Sequence, residues 1–206
     1  MNTHAGTRRE QILREASRLF AEHGFLGIGV DQIGAAVGIS GPALYRHFAG
    51  KEAMLTELLV GISSRLRDGG RQRVAEARAA GLAPADALDA LIGGHIDFAL
   101  DDRALIILHD RELNRVPEAD RKQVRQLQRQ YVELWVEVVR EVYPGLAERA
   151  ARAAVHAVFG LLNSTPHLVR PGAAHDREET AALLHRLATG AFAAAGAADV
   201  PVVAGS

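Results

Sequence analysis

The chain has no cysteine among its 206 residues, which excludes disulfides, thiolate zinc sites and a cysteine nucleophile. Proteins of the reducing cytoplasm commonly lack disulfides, so we expect a cytoplasmic location. The opening residues lack the apolar core of a signal peptide. The longest apolar run, over 153–162, is too short to cross a bilayer and contains a histidine. We therefore predict a soluble protein with no membrane partner.

The chain also lacks an excess of charge of one sign, since its net charge is −1. Residues 1–80 hold 11 Lys/Arg and 8 Asp/Glu, a balance of +3, which leaves −4 for the remainder. The protein is not a polycation. This mild asymmetry is compatible with an N-terminal part that faces nucleic acid, and equally with chance.

Strand patterns are nearly absent, and the apolar residues recur with a helical period in almost every segment. We predict an all-α fold of roughly nine helices. Thr7 and Glu10 form a capping box at the first helix, and Asp176 caps the last. The eighth helix is predicted to run from about Leu146 to Val169. The pair Gly69-Gly70 either bends the fourth helix or is carried through it to about residue 80.

The stretch GISGPALYRHF predicts a sharp turn between two short helices. Gly38 can take the positive φ that such a turn needs. Ser40 is a good N-cap, and Pro42 suits the first turn of a helix. Leu44 and Phe48, four residues apart, point to the core. Two short helices joined in this way form a helix-turn-helix, although the pattern alone also fits an ordinary helical hairpin.

In a helix-turn-helix the second helix enters the major groove of DNA, with its N-terminal residues at the base edges. Arg46 can reach a guanine edge or a phosphate, while Tyr45 and His47 can bond phosphate oxygens. Lys51 opens the next helix and offers a further phosphate contact. The predicted DNA-binding residues are Ser40, Gly41, Pro42, Ala43, Tyr45, Arg46, His47 and Lys51.

The segment from Thr7 to Leu59 resembles the tetracycline-repressor (TetR) family of bacterial transcriptional regulators. The similarity lies in FAEHGF, VDQIGAAVGIS, LYRHF and KEAML. The residues that fall on the family pattern are Val30, Ile33, Gly38, Ser40, Leu44, Tyr45, His47, Phe48, Lys51, Glu52 and Leu55. Two departures, Ile28-Gly29 and Pro42-Ala43, replace residues whose hydroxyls and amide could touch phosphate, which affects affinity and sequence preference more than class.

The resemblance implies a regulator, by family habit a repressor, that binds double-stranded operator DNA as a homodimer and responds to a small-molecule effector. We expect a three-helix DNA-binding domain over 7–52, with the helix-turn-helix at about 29–48. A larger helical ligand-binding and dimerisation domain should cover 53–196, and 197–206 should form a disordered tail. No cofactor is expected.

Two late helices carry lines of small residues that let helices pack closely. From the residues alone, these lines could pack within one chain or against a second copy, and the resemblance favours the dimer. The predicted dimer residues are Ala153, Ala157, Gly160, Ser164, Leu184, Ala188 and Ala191.

Polar side chains are scattered among the large apolar residues of the middle helices, as in many effector pockets. Each could equally be an ordinary core residue. An apolar or acyl-bearing ligand suits so apolar a set. The candidate ligand residues are His95, His109, Tyr131, Trp135, Asn163 and His167.

No catalytic motif or metal-ligand spacing stands out, so we predict neither an enzyme nor a metal site. His109 and Asp110 are adjacent on a helix and diverge. The competing class is a ligand-binding or protein-interaction module with a degenerate DNA-binding head, which the two departures at 28–29 and 42–43 would favour.

Overall fold

The computed structural model describes residues 7–168 and 176–197, and these ranges contain helices but no strand. The all-α prediction is confirmed. The helices are α1 (Arg8–His23), α2 (Val30–Ala36), α3 (Gly41–Leu44), α4 (Lys51–Ala79), α5 (Pro84–Asp101), α6 (Arg103–Glu112), a 3-10 turn (Leu113–Arg115), α7 (Glu118–Val142), α8 (Glu148–Leu162), α9 (Thr165–Leu168) and α10 (Arg177–Ala197). No helix in these ranges is long and apolar enough to span a membrane.

The helix starts follow the capping predictions. The Thr7 hydroxyl accepts from the Glu10 amide at 3.3 Å, and the Glu10 carboxylate accepts from the Thr7 amide at 2.8 Å. At α10 the Asp176 carboxylate accepts from the amides of Glu178 and Glu179, at 2.9 and 3.2 Å. These side chains satisfy amides that a helix start leaves unpaired.

Two helix bounds settle or correct the sequence predictions. α4 is one continuous helix through Gly69-Gly70. The prediction that the eighth helix reaches Val169 is wrong, because α8 ends at Leu162 and a turn precedes the short α9. In that turn the Ser164 hydroxyl donates to the Leu161 carbonyl at 2.7 Å, an alternative to continuing the helix. The predicted tail, beyond Ala197, lies outside the described residues.

The described chain divides into two compact units, and neither is one continuous segment. The first comprises residues 7–63 and 104–125. There α1, α2 and α3 pack together around buried apolar side chains. Its buried residues include Ile12, Ala16, Phe20, Phe25, Ile28, Ile33, Leu44, Phe48, Met54, Leu55 and Leu59.

The second unit comprises residues 64–103 and 126–197 among those described. α10 packs against α8 and α5 in it, and one apolar core runs through the unit. That core includes Leu91, Ile92, Ile96, Tyr131, Trp135, Val138, Val139, Val155, Val158, Leu162, Leu184, Ala188 and Phe192.

Candidate nucleic-acid interface and effector site

A sharp turn joins α2 to α3. Gly38 has φ of 71°, in the left-handed region that favours glycine. The Ile39 amide donates back to the Gly34 carbonyl at 2.9 Å. The Ser40 hydroxyl then caps α3 by accepting from the Ala43 amide at 3.3 Å. The predicted turn and cap are therefore both present.

Glycine lets the two short helices approach closely. A Cβ on Gly41 would collide with the Asp31 carboxylate of α2, and one on Gly34 would lie 2.7 Å from the Ile39 carbonyl oxygen. Gly41 is itself buried. Its predicted role in touching DNA is thus replaced by a packing role, which sets the distance between α2 and α3.

The outward side of the motif carries the other predicted residues. α3 ends at Leu44, and the chain continues through a tight turn in which the His47 amide donates to the Leu44 carbonyl at 2.9 Å. Tyr45 is 55% exposed, and the side chain of Arg46 is exposed with no hydrogen bond to any described residue. The predicted residues of the outward side are Ser40, Pro42, Tyr45 and Arg46, which are exposed, and Ala43 and His47, which are half-buried.

An arginine that the sequence analysis missed fastens this turn to its neighbours. Arg9 of α1 donates to the His47 carbonyl and lies 4.1 Å from the centre of the Phe48 ring. Its Nε also donates to the Glu57 carboxylate of α4 at 3.0 Å. These partners are 38 to 48 residues away in sequence. No local pattern reveals such contacts, because they depend on the folded arrangement.

Lys51 is engaged within the first unit. Its ammonium donates to the carbonyls of Phe25 and Ile28, at 3.0 and 3.2 Å, and lies 4.6 Å from the Phe25 ring centre. These contacts fasten the segment between α1 and α2 to the start of α4. Two of the three ammonium donors thus serve the fold, and the phosphate contact of Lys51 stays a prediction.

Three of the six predicted ligand residues form one hydrogen-bonded chain in the second unit. His95 of α5 is 2% exposed. One ring nitrogen lies 3.3 Å from the Tyr131 hydroxyl of α7, and the other lies 3.1 Å from the Asn163 amide oxygen after α8. The Asn163 contact requires the second nitrogen to carry the proton, so the first accepts from tyrosine.

Aromatic rings surround the hydrogen-bonded series of Tyr131, His95 and Asn163. Phe159 stacks on His95 with ring centres 4.7 Å apart, and Trp135 meets Phe159 edge-on at 5.1 Å. Phe192 of α10 completes the group, 6.1 Å from Trp135. Phe159 was missed from sequence, although it precedes Asn163 by four residues and so shares its helix face. We call His95, Tyr131, Trp135, Phe159 and Asn163 the aromatic cluster.

Burial controls the protonation of the aromatic cluster. It lowers the pKa of His95 to about 4, against an opposing effect of the Asn163 hydrogen bond. Burial likewise raises the pKa of Tyr131. Both groups are therefore neutral near pH 7. The buried Trp135 Nε1 interacts with the Tyr131 hydroxyl and so opposes the effect of burial on the pKa of Tyr131, although no acceptor of ideal hydrogen-bond geometry lies near it among the described residues.

Two predicted ligand histidines do not join the aromatic cluster. His109 belongs to the first unit, where its ring nitrogen lies 3.4 Å from the Asp110 carboxylate. His167 of α9 is exposed. Their part in ligand binding stays a prediction. Within the described ranges, no three His, Asp or Glu side chains come together to hold a metal ion.

The predicted dimer residues divide between the surface and the core. Ala153, Ala157 and Gly160 of α8 are exposed, Ser164 is half-buried after the helix, and Ala191 of α10 is half-buried. Leu184 and Ala188 of α10 are 2% and 0% exposed in the core of their own chain. Placing these two in a dimer contact was wrong, because that face of α10 packs on α5 and α8.

The uncovered face of α10 carries larger residues instead. Leu183 and Leu187 are 46% and 47% exposed, one helical turn apart, and Ala194 continues the line. α10 packs beside α8, so two neighbouring helices each leave an apolar line uncovered. We call Ala153, Ala157 and Gly160 with Leu183, Leu187 and Ala194 the apolar face.

Two family models match the chain. The one described as "Bacterial regulatory proteins, tetR family" matches residues 12–58, which contain the helix-turn-helix. The one described as "Tetracyclin repressor-like, C-terminal domain" matches residues 81–192, more than half of the chain.

Similar proteins include HTH-type regulators. YerO of Bacillus subtilis is 32% identical over 114 residues, 54% of this chain and 37% of that protein. The repressor KstR2 of Mycobacterium tuberculosis is 28% identical over 140 residues, 66% of each chain. The aligned parts thus span between a third and two thirds of these relatives. A solved TetR-family regulator from Bordetella parapertussis has the same fold, with a TM-score of 0.76, 21% identity and coverage of 88% of this chain and 94% of that one.

Proposed function

The chain belongs to the TetR family and is a transcriptional regulator, and we propose that it is a repressor that binds a near-palindromic operator as a homodimer. A small, largely apolar molecule bound at the aromatic cluster releases it from DNA. The observation that carries this proposal is the exposed side of the helix-turn-helix. The relative KstR2 is named as a repressor.

The DNA contact is supported by the combination of a fixed backbone and free side chains. Gly34 and Gly38 shape the α2–α3 turn, and Arg9 holds the turn that follows α3. Arg46 and Tyr45 project outward without internal partners among the described residues. An arginine can bond a guanine edge with two donors, and a tyrosine hydroxyl can bond phosphate. Gly41, which is buried, is left out of this interface.

The dimer contact is supported by the apolar face. Two half-exposed leucines one turn apart, beside a line of small residues, are what a close helix–helix contact between subunits requires. A two-fold dimer presents two recognition helices to two half-sites. The operator should therefore be close to a palindrome.

The effector site is supported by the chemistry of the aromatic cluster. Its rings offer apolar surface, while His95, Tyr131 and Asn163 offer neutral hydrogen-bonding groups. A mostly apolar lining with a few convergent polar groups is typical of small-molecule sites. A ligand that binds more tightly to a conformer of weak DNA affinity lowers operator occupancy by that difference in affinity.

The first experiment is a fluorescence-anisotropy titration of the purified protein with duplexes from its own promoter region, against random DNA of equal length. We expect specific binding that weakens as salt rises, because phosphate contacts release counterions. Absence of binding would overturn the proposal. Equal affinity for both duplexes would favour the alternative function, a ligand-binding or protein-interaction module whose helix-turn-helix no longer recognises a specific DNA sequence.

Arg46→Ala tests the interface itself. It should weaken operator binding by about 10- to 100-fold, the usual range for losing a good base contact, and leave the circular dichroism unchanged. The matched control is Arg71→Ala, which removes an exposed arginine from α4 in the second unit. Unchanged operator affinity in Arg46→Ala would remove this residue from the interface.

A further inference from the structure

Arg73 of α4 is a half-buried cation without a carboxylate partner. Its side chain makes no hydrogen bond or ion pair with any described residue. Acidic residues of the nearby helix α5 are already engaged, because Arg177 binds Asp97 and Asp101 at 2.9 and 3.0 Å. His185 binds Asp89 at 2.7 Å. A guanidinium in partial burial is stabilised by an anion, and the described residues supply none.

The guanidinium of Arg73 lies in a space on α5 that is open because Gly94 has no side chain, and we call this space the Arg73 seat. A Cβ on Gly94 would lie 2.5 Å from the guanidinium carbon of Arg73, so the guanidinium occupies the space of the missing side chain. The Arg73 seat therefore holds the cation against α5, in the space that a side chain at residue 94 would fill.

This seat adjoins the aromatic cluster. Gly94 is the residue before His95, and the charge of Arg73 acts on the Tyr131 hydroxyl, where it opposes the dominant effect of burial on that pKa. His95 and Tyr131 remain uncharged near pH 7. The guanidinium is thus the only formal charge among these groups.

We infer that Arg73 binds the anionic head of an amphipathic ligand whose apolar part lies on the aromatic cluster. This rests on the proposed effector function and adds the class of effector, an organic acid or phosphate ester with an apolar body. The guanidinium presents a planar fork of donors that matches a carboxylate or phosphate. A cationic ligand would be repelled.

The chain reports on this site by itself, because Trp135 is its only tryptophan. Tryptophan fluorescence is followed while decanoate, decyl phosphate or decanol is added to the full-length protein below their aggregation limits. All three share one apolar chain and differ in the head. We expect at least one anion to bind about tenfold or more tightly than decanol, as the loss of a charged hydrogen-bond partner would predict.

Substitutions test whether Arg73 causes the preference for the anion over decanol. Arg73→Gln should abolish the advantage of the anion over decanol, whereas the matched control Arg71→Gln, two residues away and exposed, should keep it. Gly94→Ala keeps every charge but puts a methyl group where the guanidinium rests. It should reduce the anion preference with little loss of stability, since only the end of a flexible side chain must move.

The outcomes separate this inference from the proposed function. Equal affinity for anion and alcohol, or a preference that survives Arg73→Gln, would overturn the anionic head while leaving an apolar effector intact. No fluorescence response to any of the three would overturn both the anionic head and the effector site. Operator binding is measured separately by anisotropy, so the DNA-binding role is tested independently of the ligand.

Discussion

At the scale of a single residue, burial of His95 makes stability depend on pH. It is 2% exposed among aromatic rings, with a pKa of about 4 instead of 6.5. The folded protein therefore resists protonation at this ring, while the unfolded chain accepts a proton below about pH 6.5. Acid consequently favours unfolding through His95.

His95→Gln should remove that contribution. As the pH falls from 7 to 4.5, the free energy of unfolding of the unmodified protein should drop by about 2–3 kcal/mol more than that of the variant. Urea titrations at the two pH values measure the difference. His167→Gln, which changes an exposed histidine, should retain the full pH dependence. An unchanged dependence in His95→Gln would mean that this ring is protonated in the folded state.

At the scale of an element, the glycine pair in α4 has two different environments. A Cβ on Gly70 would lie 2.7 Å from Tyr131 and 3.2 Å from Leu134, both of α7. A Cβ on Gly69 would meet only the end of the Arg73 side chain, at 2.9 Å. Gly70 therefore permits α4 and α7 to pack closely. Gly69 lowers the stability of the helix and permits no such contact.

Alanine substitutions at these neighbours should have opposite signs. Gly69→Ala should raise the free energy of unfolding by about 0.5–1 kcal/mol through helix propensity. Gly70→Ala gains the same propensity, but overpacking against α7 typically costs about 1–3 kcal/mol, so it should be net destabilising. Thermal unfolding followed by circular dichroism compares them. Stabilisation by both would show that α4 and α7 can separate at little cost.

Local signals of the first unit could be predicted well from the sequence. Thr7, Gly38 and Ser40 act on backbone within a few residues, so their caps and turn are encoded locally. Arg9 and Lys51 could not be assigned, because their partners are brought close only by folding.

The sequence could not show which face of α10 would be buried. Alanine and leucine occur all round this helix, so its apolar pattern has no single face. The line through Leu184 and Ala188 was predicted to face another subunit, but it is the line through Leu183 and Leu187 that is exposed. Only packing against α5 and α8 distinguishes the two. Spacing likewise could not show that His95, Tyr131 and Asn163 would meet while His167 would be exposed.

At the scale of the whole molecule, the proposed dimer depends on the apolar face. Large exposed apolar side chains in a line are unusual unless a partner covers them. Leu183 and Leu187 form such a line on α10, beside the small residues of α8. A second copy of the chain offers the same face and can cover both.

Leu187→Glu should therefore dissociate the dimer. Burying a carboxylate without a partner in a helix contact is strongly unfavourable, so sedimentation velocity should show a monomer. Operator affinity should fall with it, because one head then binds alone. The control is Leu82→Glu, an exposed leucine outside α8 and α10, which should leave the mass unchanged. A dimeric Leu187→Glu protein would place the subunit contact elsewhere.

The glycines where α2 meets α3, Gly34 and Gly41, limit which substitutions this motif can accept. Gly41 cannot gain a side chain without displacing Asp31, and Gly34 is blocked by the Ile39 carbonyl. Pro42, Tyr45 and Arg46 are exposed and carry no such constraint. New operators can therefore be acquired by single substitutions at the outward positions, at little cost to folding. In the proposed interface, substitutions at the outward positions should therefore change sequence preference, whereas a side chain at residue 34 should disturb the packing of α2 and α3.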